Sequence, residues 1–378
     1  MQLKKTYLLA LIPLLSFCSS EKPVITEKPV QPIEKPKAVK QIDSLKFASE
    51  IHLKNIRQLT FGGNNAEAYW SFDNKQIIFQ SDWSEINSQG CDQIYIMNAD
   101  GSPISSGMQY QEVSTGKGRT TCSYFHPNGK IVYSSTHAAN ENCPTAPVFE
   151  GGRYVWAIYD SFDIYAKDSS TAESKLLIGG EGYDAEPTIS PDGKYMIFTS
   201  TRSGDLDLWR YEFETKELKQ ITFLPGYDGG AFFSHDSKKL VWRASRPNDE
   251  ELPIYKDLLS KGLVEPKAMN LYTSDIDGNN VEQITNLPGA NWAPFFHPDN
   301  KRILFSSNHH TMDKGGRVFD IFMIDPSTKK LEQITNSGTF DAFPMFSNDG
   351  KYLVFSSNRR ADRKPSRDTN VFIAEWIN

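Results

Sequence analysis

Beyond residue 60 the chain alternates between two textures. Short polar clusters are followed by runs of β-branched and aromatic residues. The clusters are Ser71-Phe72-Asp73-Asn74-Lys75, His126-Pro127-Asn128-Gly129-Lys130, Ser190-Pro191-Asp192-Gly193-Lys194, Ser234-His235-Asp236-Ser237-Lys238, His297-Pro298-Asp299-Asn300-Lys301 and Ser347-Asn348-Asp349-Gly350-Lys351. Proline presets φ at the first corner, Asp or Asn bonds its own backbone, and Gly or Asn accepts positive φ, so each cluster predicts a tight hairpin turn. The runs that follow, such as Gln76-Ile77-Ile78-Phe79, Tyr195-Met196-Ile197-Phe198 and Tyr352-Leu353-Val354-Phe355, predict buried central strands. A third strand recurs as Gln93-Ile94-Tyr95, Asp163-Ile164-Tyr165, Asp207-Leu208-Trp209, Asn270-Leu271-Tyr272, Asp320-Ile321-Phe322 and Asn370-Val371-Phe372. A fourth recurs as Gln220-Ile221-Thr222, Gln283-Ile284-Thr285 and Gln333-Ile334-Thr335, and more loosely as Glu112-Val113-Ser114 and Lys175-Leu176-Leu177.

The turn positions 73, 128, 192, 236, 299 and 349 are 55, 64, 44, 63 and 50 residues apart. A period near 50 with variable inserts predicts one propeller blade per repeat. The sixth repeat stops after its third strand, while a fourth-type strand, Arg57-Gln58-Leu59-Thr60, precedes the first repeat. A ring closes if that strand completes the last blade, which removes the exposed edge of an open array. The expected fold is therefore all-β: a six-bladed β-propeller over 51–378, closed by an N-terminal strand.

The Ser-Pro-Asp-Gly-Lys turns, the Asp-Ile-Tyr strands and the Gln-Ile-Thr strands resemble the repeats of TolB-like propellers, relatives of the WD-type propellers, over residues 51–378. The resemblance is specific for fold and weak for function, because propellers host many activities. It implies a periplasmic, envelope-associated protein that binds partners. TolB itself carries an N-terminal α/β domain, which a stalk replaces in this chain.

Lys4 and Lys5, the apolar run from Tyr7 to Leu15 and the following Ser16-Phe17-Cys18 have the order of a secretory signal. The run is too short to span a bilayer. Residues 1–17 are read as the signal peptide and Cys18 as a lipidated cysteine. Residues 18–50, with Glu-Lys-Pro repeated at 21–23, 27–29 and 34–36, are read as a disordered, extended linker. At about 3.1 Å per residue the stalk reaches on the order of 100 Å. This places the protein in the cell envelope, as an outer-membrane lipoprotein facing the periplasm or the cell surface.

Acids outnumber bases 47 to 41 and the two are well mixed, which excludes nucleic acid as the expected partner. The expected site is the channel mouth. One repeat position, eight before each turn Asp or Asn, holds Asn65, Thr120, Asp184, Asp228, Asn291 and Asp341; two residues on are Glu67, Cys122, Glu186, Gly230, Ala293 and Phe343. The first set is expected to ring the mouth, with Glu67, Arg119 and Glu186 beside it, or else to satisfy loop amides between blades. Two long inserts, 137–160 and 246–267, fall on the same face, the second with a short helix from Leu252 to Gly262. Loops of that length are usually functional or disordered, and Arg153, Tyr154 and Trp156 in the first suit a contact surface.

In an oxidising compartment one disulfide is expected among Cys91, Cys122 and Cys143, with Cys91–Cys122 favoured because both lie on short connections. No cofactor is expected. A zinc site of these cysteines with His137, and a metal site joining His137, His309 and His310, are minor possibilities. Gly-x-Ser-x-Gly, His-Glu-x-x-His and phosphate-binding Gly-Lys-Ser/Thr motifs do not occur in the sequence, so the hydrolase domains that accompany some propellers have no counterpart. The expected role is a scaffold for an envelope protein, peptide or glycan, with a carbohydrate-active or metal-dependent, lyase-like propeller enzyme as the alternative.

Overall fold

The structure is a computed structural model that describes residues 44–145, 147, 149–168 and 173–378. The expected signal peptide, Cys18 and the linker through residue 43 lie outside the described residues. The turn chemistry read from the sequence is present: Ser190 Oγ donates to Asp192 at 2.6 Å, and the amides of Lys194 and Tyr195 close on Asp192 and Ser190. The same pattern recurs at Ser71, Ser234 and Ser347, with positive φ at Asn74, Gly129, Gly193, Ser237, Asn300 and Gly350.

Each turn joins the first two strands of a four-stranded antiparallel sheet, and six such sheets form the ring. From the inside outwards, blade 1 runs Asn65–Trp70, Gln76–Ser81, Gln93–Asn98 and Gln111–Glu112. Blade 3 runs Asp184–Ile189, Tyr195–Ser200, Asp207–Glu212 and Leu218–Gln220. The second strands are the most apolar and the most buried: Ile77, Phe79, Ile197, Phe198, Leu240, Trp242, Phe305 and Phe355 are all solvent-inaccessible. They pack face to face between neighbouring blades, which is where the core lies.

Closure follows the sequence reading. Leu53–Gln58 pairs with Asn370–Trp376, in the register Lys54 to Glu375, Arg57 to Ile373 and Gln58 to Phe372. The sixth sheet has the order Leu53–Gln58, Asn370–Trp376, Tyr352–Ser357, Asp341–Phe346.

Residues 44–50, counted with the linker above, pack onto the ring. Leu45 is buried and Glu50 is fully enclosed. Arg363 lies 3.7 Å over the ring of Phe47. The globular part therefore starts before residue 51, because Glu50 meets Arg359 of blade 6.

Candidate functional site: the central channel and its roof

All six innermost strands are interrupted at one place. Their register shifts between Ala66 and Tyr69, Thr121 and Ser123, Ala185 and Thr188, Gly229 and Phe232, Trp292 and Phe295, and Ala342 and Met345. The bulged residues are Glu67, Cys122, Glu186, Gly230, Ala293 and Phe343, at φ between +46° and +60°. Five of the six are not glycine, and each such position costs about 1–2 kcal/mol of backbone strain. A bulge exchanges the facing of a strand, so these six, and not the residues two earlier, line the channel.

The bulge amides clasp neighbouring blades together. Cys122 N donates to Gln80 Oε1 (3.2 Å), Gly230 N to Glu186 Oε2 (2.9 Å) and Phe343 N to Ser306 Oγ (3.2 Å). Glu186 also accepts from Thr199 (2.6 Å) and Tyr227 (3.0 Å) and forms a close ion pair with Arg243. Burial alone would raise its carboxyl, but Arg243 and these hydrogen bonds outweigh that and hold it below the usual carboxylate range. Gly230 is glycine for a second reason: a Cβ there would stand 1.8 Å from Arg243 Nη1.

Glu67 differs. Burial pushes its carboxyl up to about 7, only partly offset by a hydrogen bond with the Cys122 thiol. Burial likewise raises the Cys122 thiol well above its ordinary value. The far side of the channel is apolar: Phe343 lies edge-on to Trp292 at 4.8 Å, and Phe319 and Phe340 complete the cluster.

The two inserts meet above blade 3. Trp156 and Ala157 pair with Val264 and Leu263, and Ile158 N donates to Gly262 O at 2.7 Å. Val155, Leu258 and Leu263 form a small core between them. The helix spans Leu252–Ser260, with Pro253 in its first turn, and buries Tyr255 and Leu258. The roof sets Trp156 across the mouth, edge-on to Trp292 (6.4 Å) and 5.6 Å from the Arg243 guanidinium. Beside it, between the inserts and blade 3, lies a cleft of ≈ 1030 Å³ whose walls include Tyr159, Tyr183, Asp205 and Tyr255.

Residues 263–364 match the model of the TolB β-propeller domain. The chain is a six-bladed β-propeller, similar in fold to TolB. Among solved structures, TolB from Acinetobacter baumannii is similar at 18% identity and a TM-score of 0.53, over 82% of this chain and 65% of that one. A putative TolB from Agrobacterium tumefaciens is similar at 16% identity and a TM-score of 0.53, over 85% and 97%. At these identities the likeness shows the fold. An uncharacterized protein of Agrobacterium fabrum is 41% identical over 49 residues, which is 13% of this chain and 17% of that protein.

In this propeller Asp184, Asp228, Asn291 and Asp341, expected either to ring the mouth or to satisfy loops, are buried. Asp184 holds Arg202 at 2.6 Å. Asp228 accepts from Trp242 and Arg246, both at 2.7 Å, and burial raises its carboxyl to about 6. Asn291 accepts from Ser307 at 2.6 Å, and Asp341 holds Ser357 and Arg359. They fasten strands and loops, because the bulge two residues later turns the channel-facing role over to its own residue. Arg119 pairs with Asp92 at 2.6 Å. Arg153 faces Glu265 at 3.6 Å, Tyr154 is exposed, and Trp156 is half-buried under its contacts.

The favoured Cys91–Cys122 disulfide is overturned. Cys91 bonds Cys143, with Cα atoms 5.9 Å apart. Cys122 sits at a bulge facing the channel, whereas the loop before Cys143 folds back on blade 1, with Gln89 Nε2 donating to Glu141 O at 2.7 Å. Cys122 is a free thiol. His137 is held by Ser135, His309 by Ser307 and His310 by Asp320. Among the described residues no group of three or more His, Cys, Asp or Glu is arranged to hold a metal ion.

Arg243, Gln80 and Trp292 were not singled out from sequence. A signal existed. Opposite the residue before each bulge stand Gln80, Ser134, Thr199, Arg243, Ser306 and Ser356. Four are small hydroxyl residues, and the two exceptions are the groups that shape the channel.

Proposed function

We propose that this TolB-like propeller is a binding module of the bacterial cell envelope, exported by residues 1–17 and anchored by lipid on Cys18 in the outer membrane. Its role is to hold an envelope protein, peptide or glycan, and not to turn over a substrate. The observation that supports this reading is the roof. The ring closes without either insert, yet two inserts from separate blades pair with each other and deliver Trp156 to the channel mouth. A partly exposed Trp beside Tyr and Arg is the usual composition of an interface anchor.

The test compares wild type with Trp156→Ala in pull-downs from envelope extract, with captured species identified by mass spectrometry. Loss of a defined partner on Trp156→Ala at an unchanged melting temperature is the expected result. Identical capture by both proteins would remove the mouth as the site.

A further inference from the structure

Glu67 and Glu186 occupy one repeat position in two blades, and the fold uses them differently. Glu186 captures the next blade's bulge amide, that of Gly230, and is neutralised by Arg243. In blade 1 the same task falls to Gln80, whose Oε1 accepts from both Cys122 N and Thr121 Oγ1 at 3.2 Å. Gln80 thus relieves Glu67 of the clasp. One oxygen of Glu67 is left to the Cys122 thiol, and Oε2 is enclosed with no hydrogen-bond partner among the described residues. The charges that act on Glu67 are Glu186, Arg243 and Asp92. Arg243 already serves Glu186, and Asp92 already serves Arg119.

A carboxylate that the fold neither pairs nor uses as a clasp, in a channel whose other side carries the Phe343 and Trp292 rings, supplies the counter-charge of an ammonium site. A neutral ligand would leave the ionised carboxylate uncompensated, which is the costly arrangement in an enclosed site. We propose that Glu67 accepts a cationic group of the bound ligand, a lysine or arginine side chain or a free amino terminus of a peptide, inserted through the mouth beneath Trp156. This rests on the mouth being the binding site, as proposed above.

The carboxyl's position near 7 then has a consequence for binding. Below that pH the site is neutral and an arriving cation must displace a proton; above it the site is already charged. Affinity for a peptide that presents Lys or Arg, whose charge is constant over this range, should rise about tenfold from pH 6 to pH 8, with the proton released on binding.

The probe is a displayed hexapeptide library of unbiased composition, panned on the full chain as wild type, Glu67→Gln and Trp156→Ala. The expected result is enrichment of Lys, Arg or a free amino terminus on wild type, weakened about tenfold or more by Glu67→Gln. Titration of one enriched peptide that carries Lys or Arg and a blocked amino terminus, on wild type at pH 6, 7 and 8, gives a readout that needs no variant. Peptides selected without a cation, or held equally by Glu67→Gln, or bound independently of pH, overturn the role of Glu67 and leave the mouth as a peptide site. No enrichment over Trp156→Ala overturns the peptide-binding mouth, and the role of Glu67 with it.

Discussion

Arg359 donates to Glu50 at 2.9 Å although 309 residues separate them, and both side chains are completely enclosed. The same guanidinium holds Asp341 at 3.0 Å. One arginine thus joins the segment before the closing strand to the first strand of blade 6. Removing one member of a buried ionic group costs about 3–5 kcal/mol. Glu50→Gln should lie at the lower end, since Arg359 keeps Asp341. Arg359→Met should cost more, because two enclosed carboxylates lose their cation. Urea denaturation of the two variants at pH 7 checks the order, and the reverse order would contradict this account.

Stability should also respond to pH through Glu67. Its folded carboxyl titrates near 7, above the ordinary 4.5. Between those values the folded state binds more protons than the unfolded one, so this group lowers stability as pH rises. The full effect is on the order of 3 kcal/mol by pH 8, less whatever solvent in the channel screens. Glu67→Gln should match wild type near pH 4.5 and be the more stable protein at pH 8. Denaturation midpoints of both proteins across that range are the measurement.

The bulge ring makes opposite forecasts for two small residues. Gly230→Ala places a methyl against Arg243 and strains a positive φ, so it should destabilise by about 2–3 kcal/mol and loosen the Glu186 pair. Ala293 already bears the strain at φ +50°. Ala293→Gly should be neutral or stabilising by up to about 1 kcal/mol. Thermal melts of both variants decide the matter.

The Cys91–Cys143 bond closes a span of 52 residues, for which loop entropy gives at most about 4 kcal/mol. Replacing both cysteines with serine should lower the urea midpoint markedly. Cys122→Ser should leave it almost unchanged. The Cys122 thiol, kept protonated by burial, should react slowly with a thiol reagent in the native state and fast in urea.

How much of this was legible follows from physical range. The turns and second strands were readable because their signals are local: a Ser, an Asp and a positive φ within five residues. Ring closure was readable because a strand missing from one end appears at the other. The inserts were readable by length, but their pairing with each other was not, since nothing in Trp156 or Val264 names the other. Glu67 and Glu186 were named at the mouth, but which of the two repeat positions lines the channel was left open for one reason. Period-two alternation gives Asn65 and Glu67 one facing, and the bulge breaks that alternation through an αL residue that in five blades is not glycine. Without a glycine to mark it, the break had no sequence signature. The disulfide went wrong at the same point, because Cys122 is a bulge residue.

The closing strand has a consequence for assembly. Leu53–Gln58 is made ahead of the first blade and its partner, Asn370–Trp376, only with the sixth. A chain emerging in order from the ribosome, or through a narrow pore, carries an unsatisfied strand edge until the sixth blade is out. Five blades can stack before that moment, but the ring cannot lock. The final pairing is also the most non-local one, the kind of contact that sets a slow folding rate and leaves a vulnerable edge while it is awaited. Helpers that shield nascent chains would therefore act on the closing strand for as long as the sixth blade is missing.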